Sequence, residues 1–114
     1  MATSPPVSRR WASFSCDVEP HRERVSVVVA GEVDLAVAPE VTAQVRDLIE
    51  VGFDAVEVDL SAVTFIDLAG ARAVAAAERD AAVAGCTLTV VPGPPEVQEV
   101  LALIGLVVAV PAEG

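Results

Sequence analysis

Stretches with the two-residue period of a strand and stretches with the period of a helix follow one another along this chain. That alternation restricts the fold more than any other feature. Arg24 to Val33 is rich in β-branched residues (Val25, Val27, Val28, Val29) and reads as a strand. Gly31-Glu32-Val33-Asp34 ends it, and Pro39 suits the first turn of a helix. From there Val41, Val45, Leu48 and Gly52 recur at i, i+4, i+7 and i+11, while Thr42, Gln44, Arg46, Asp47 and Glu50 lie elsewhere. The spacing predicts an amphipathic helix closed by Gly52. Ala55 to Leu60 then sets Val56, Val58 and Leu60 against Glu57 and Asp59, a further strand.

Gly70 to Ala84 is an Ala-rich helix stopped by Gly85, its small side chains suited to lying close on a sheet. Thr87 to Val91 reads as a strand and Pro92-Gly93-Pro94-Pro95 as a rigid turn. Val97, Val100, Leu101 and Ile104 make another amphipathic helix with Gly105 past its end, and Val107 to Val110 a short last strand ended by Pro111. Upstream, Trp11 to Val18 alternates, with Ala12, Phe14, Cys16 and Val18 on one side. It pairs with the Arg24–Val33 strand as a hairpin through the polar turn Glu19 to Glu23. The order is β-β-α-β-α-β-α-β. Crossovers through helices force parallel pairing, so the expected fold is α/β, a mixed, mostly parallel sheet with packed helices and one antiparallel edge. Residues 1–10, with Pro5, Pro6 and the Arg9–Arg10 pair, read as a flexible leader, and 11–114 as a single domain.

Composition fits one aliphatic core. The chain has 114 residues, enough for one domain, and 54% of them are hydrophobic but only 4% aromatic. Val and Ala, 23 and 20 residues, must fill the interior. No apolar run approaches the roughly 18 residues that span a bilayer, and no signal core follows the Arg pair, so a cytoplasmic protein is expected.

Seventeen acids face seven bases, every base an Arg. Residues 25–114 alone hold fourteen acids and three Arg. Such a body repels phosphate backbones, so nucleic acid and anionic membrane are poor partners and a basic protein patch a better one. Cys16 and Cys86 lie far apart in sequence and read as reduced, buried thiols. With His21 they make no zinc site, so neither metal nor cofactor is expected.

Catalytic patterns are missing. The lone His21 falls in a hairpin turn without a nucleophile motif, and a Lys-free chain has no P-loop. Gly93-Pro94-Pro95 is no dinucleotide fingerprint. Glu57 and Asp59 share one strand face, where acids of an acidic domain are mostly solvated. A phosphoacceptor receiver domain would need a Lys. An enzyme is not expected.

Two segments carry a resemblance. Gly31-Glu32-Val33-Asp34-Leu35-Ala36-Val37-Ala38-Pro39-Glu40-Val41 resembles the pattern G-E-[LV]-D-x-x-[TS]-A-P-x-[LV]. Asp59-Leu60-Ser61-Ala62-Val63-Thr64-Phe65-Ile66-Asp67 resembles D-L-S-x-V-x-F-[IM]-D, with Gly70 following after two residues. Together, through about residues 24–106, they resemble the STAS domain of bacterial anti-sigma factor antagonists. The resemblance implies a transcription-regulating signalling module that works by partner switching. Its partner would be an anti-sigma factor of the histidine-kinase-like ATPase type, bound to release a sigma factor.

In regulated members the two positions between that Asp and Gly carry hydroxyls, and the partner phosphorylates the first. Here they are Leu68 and Ala69, on which no phosphate ester can form. Asp67 is expected to cap the helix beginning at Leu68. Leu68 is either an apolar knob at the dock or a side chain folded into the core. Asp34, Thr64, Asp67, Leu68, Ala69, Gly70 and Arg72 are the expected partner-binding residues, with Asp34 read alternatively as a turn residue bonding its own backbone. Ser61 and Thr64 are nearby hydroxyls expected to satisfy turn backbone. The protein is expected to be a monomer or weak homodimer. Two other functions remain open: an STAS subunit on the ATPase of a lipid-trafficking ABC transporter, and a scaffold subunit of a stress-signalling assembly.

Overall fold

The computed structural model of the protein describes residues 8–106. The strand expected at Val107–Val110 lies outside the described residues. Five strands and three helices run in the order β1 (Ser8–Trp11), β2 (Phe14–Pro20), β3 (Val25–Val33), α1 (Ala38–Val51), β4 (Ala55–Ile66), α2 (Leu68–Ala84), β5 (Thr87–Val91) and α3 (Pro95–Leu103). They form one sheet in the order β1-β2-β3-β4-β5. β1 and β3 flank β2 antiparallel, whereas β3–β4 and β4–β5 are parallel across the helical crossovers.

The mixed sheet is the expected one, with an added strand. Residues Ser8–Arg10, placed in the leader by the sequence, belong to β1, and Trp11 pairs back on Phe14. The alternation of Trp11 to Val18 therefore spans a turn at Ala12-Ser13, and the buried set begins at Phe14. This second antiparallel pairing makes the described sheet half parallel. β4 also outruns its expected end at Leu60: it continues to Ile66 because β3 stays paired with it through two register shifts as far as Val33.

One face of the sheet carries the core. Phe14, Cys16, Val27, Val29, Val56, Val58 and Leu60 are buried beneath α1 and α2, which pack side by side. α1 presents Val41, Val45 and Leu48, and α2 presents Ala71, Val74, Ala77 and Ala81. Fully burying a Val or Leu contributes about 1.5–3 kcal/mol, so this set, aliphatic apart from Phe14, needs no large aromatic centre. The buried amide of Gln44 donates to the Cys16 carbonyl and ties α1 to β2. Gly52 and Gly85 end α1 and α2 in the left-handed region, at φ 113° and 76°. α3, started by Pro95, closes against β4 and α2.

Candidate docking site at the start of α2

β3 and β4 end side by side, with Val33 opposite Ile66, and each runs at once into a helix. The two strand-to-helix loops therefore meet. Asp67 joins them. Its N–H donates to the Val33 carbonyl at 3.2 Å. Extended at φ −101° and ψ −177°, it caps α2: Oδ1 accepts the Gly70 N–H at 2.8 Å. Oδ2 accepts the Leu35 N–H from the other loop at 3.2 Å. Asp34 organises that loop: Oδ1 accepts the Ala36 N–H at 3.0 Å, and its carbonyl accepts from Val37 and Ala38. Both carboxylates thus shape backbone.

Gly70 was expected on the partner surface but is buried. A Cβ there would lie 2.6 Å from the Val33 carbonyl oxygen and 2.7 Å from Ile66 Cγ1. Its role is to let α2 start this close to the sheet. Leu68 points the other way and is 44% exposed, so it is a knob and not a core residue. Ala69 is half-buried. Arg72 is exposed one turn after Leu68, on the same helix face.

Two apolar neighbours escaped the sequence reading. Leu35, whose N–H is held by Asp67, is 73% exposed, and Phe65, two residues before Asp67, is 51% exposed. Leu35, Phe65 and Leu68 leave large apolar side chains in water on the two segments that Asp67 joins. Only the hydrophobic identity of residue 35, beside a turn-forming Asp, gave a sequence signal for it. Thr64 lies on β4 and not in a turn; it is exposed and lines a groove shared with Trp11 and Glu32. Ser61 is also on β4, where its N–H and hydroxyl both donate to Asp59 Oδ1, at 2.9 and 2.6 Å.

Several other polar groups are engaged elsewhere. Glu57 does not act with Asp59: its Oε1 accepts the buried Ser26 hydroxyl at 2.9 Å, and Arg24 lies 3.7 Å from Oε2. His21 Nε2 lies 3.0 Å from the same hydroxyl. Neither Cys16 nor Cys86 is in a disulfide and both are buried, and burial, then the nearby Asp54, pushes the Cys86 thiol up. Among the described residues, no three His, Cys, Asp or Glu side chains are placed to hold a metal ion, and no helix is long and apolar enough to cross a membrane.

A mixed sheet whose parallel strands each feed a helix, with an Asp-capped α2 at their carboxyl end, is the architecture of an STAS-type regulatory module. The family model described as "Mlab, STAS domain" matches residues 16–110, and the chain belongs to the STAS domain family. It is similar to an anti-sigma factor antagonist from Mycobacterium paratuberculosis, at 29% identity and a TM-score of 0.74, over 82% of this chain and 80% of that one. The fold also matches the anti-sigma factor antagonist SpoIIAA in its unphosphorylated form (22% identity, TM-score 0.68, 80% and 81% covered). An STAS-domain antagonist from Rhodobacter sphaeroides gives 21% identity and a TM-score of 0.63 over 79% and 97% of the two chains. Curated proteins provide no match.

Proposed function

We propose that the protein is a non-enzymatic docking module, an anti-sigma factor antagonist that binds an anti-sigma factor of the histidine-kinase-like ATPase type through the start of α2. The observation that carries the reading is the exposed Leu68, flanked by exposed Phe65 and Leu35, on an Asp67-capped helix start. Apolar side chains held on a rigid helix start lose little entropy on docking. A buried leucine anchor contributes about 1–3 kcal/mol. Neither Leu68 nor Ala69 can take a phosphate, so binding here is free of the switch that adds about two negative charges at that turn.

Calorimetric titration with the anti-sigma ATPase encoded in the same genome tests this. Leu68→Glu is expected to weaken binding more than about tenfold; unchanged affinity removes Leu68 from the interface. A second reading, an STAS subunit seated on the ATPase of a lipid-trafficking ABC transporter, is kept by the description of the matching family model, which names Mlab and not an antagonist. Titration against that ABC ATPase in parallel separates the two.

A further inference from the structure

An open groove of about 410 Å³ lies where the β1–β2 turn meets the ends of β3 and β4, walled by Trp11, Phe14, Gly31, Glu32 and Thr64. Its walls are braced. The Trp11 ring rests on Phe14 with centroids 5.3 Å apart and planes at 59°, while the residue stays 45% exposed. The Glu32 N–H donates to the Ser13 carbonyl at 2.7 Å. Gly31, at φ 89°, makes room for that carbonyl, which a Cβ would strike. Glu32 itself is exposed, and its carboxylate has no partner among the described residues.

We propose that this groove receives a basic side chain, the arginine or lysine of the protein that docks at Leu68; the inference rests on that docking reading. A held indole attracts a cation to its ring face, and a free carboxylate in the same groove supplies the counter-charge. An apolar side chain would instead cover Glu32 without pairing it. The chain's net charge of −10 favours the same sign of partner. Asp34 and Asp67 have carboxylate oxygens committed to loop backbone, whereas Glu32 is free to face a partner. The groove adjoins the dock, because Glu32 in its wall is the cross-strand partner of exposed Phe65.

The test titrates the same anti-sigma ATPase while following the emission of Trp11, the sole Trp of the chain. Emission is expected to change on binding, and Trp11→Ala and Glu32→Gln are each expected to weaken affinity about tenfold. The double variant should lose far less than the product of the two, because both changes remove one shared side chain's partners. Glu32→Gln, a surface change, keeps the test valid where Trp11→Ala unfolds. If Leu68→Glu weakens binding while Glu32→Gln and Trp11 emission show nothing, the groove is overturned and the dock stands. Fully multiplicative single effects overturn the shared side chain. If Leu68→Glu is silent, the docking reading falls and takes this inference with it.

Discussion

The carboxylate of Asp67 accepts the backbone N–H of Leu35 at 3.2 Å, linking two loops separated by 32 residues of sequence. One side chain therefore caps α2 and positions the loop that leads into α1. Asp67→Ala should remove both bonds and lower stability by about 1–3 kcal/mol. Asp67→Asn, which keeps an oxygen for the Gly70 N–H, should lose less. Urea denaturation gives both values, and equal losses for the two variants would separate stability from the bond to the helix.

Gly70→Ala sets helix propensity against packing. Ala gains about 1 kcal/mol over Gly in a helix interior. The new methyl, however, would sit 2.6 Å from a backbone oxygen of β3, which cannot rotate away. Overpacking of this kind costs about 1–3 kcal/mol, so a lower melting temperature is expected. A raised one would mean that α2 can shift off the sheet without loss.

Ser26 is 2% exposed and stands between Glu57 and His21. Ser26→Ala deletes the hydroxyl and leaves Glu57 only the long contact with Arg24. A loss of about 1–2 kcal/mol in chemical denaturation is expected; a stability gain would show that the hydroxyl is poorly paired.

The Cys86 thiol is pushed up by burial and by Asp54. Its folded value lies above its unfolded one, so the contribution is complete below the unfolded thiol range, about 8.5, and is lost as pH rises through the folded value. Stability should fall on the alkaline side through this group, and Cys86→Ala should flatten that slope. Native protein at neutral pH should react slowly with iodoacetamide at both thiols, and quickly once unfolded.

Leu68→Ser restores a hydroxyl at the first residue of α2. Incubated with ATP and the anti-sigma ATPase, this variant should gain the mass of one phosphate while the parent chain gains none. Labelling of the parent would place the acceptor on another residue; a Leu68→Ser variant that stays unlabelled would mean the dock does not present this turn to a kinase.

Much of this architecture was legible because it is local. Val41, Val45, Leu48 and Gly52 announced α1 and its end, and Gly85 announced the end of α2, since periodicity and left-handed caps are properties of a few neighbouring residues. Asp67 as a cap followed from its place before a helix. β1 was missed because Ala12-Ser13 carries no Gly, Pro, Asn or Asp to mark a turn, and because the alternation continues across it. The reach of β4 to Ile66 was missed because its last residues are held by pairing with β3 rather than by their own pattern.

From the order of residues alone came the strand–helix alternation, the acidic Lys-free surface and the lack of a hydroxyl at positions 68 and 69, because each is written in adjacent side chains. Tertiary structure alone decided that Gly70 lies under Val33, that Asp67 reaches Leu35, and that Trp11 and Glu32 share one groove. Those relations depend on inter-strand register and on the path of loops through space, which period and propensity do not encode.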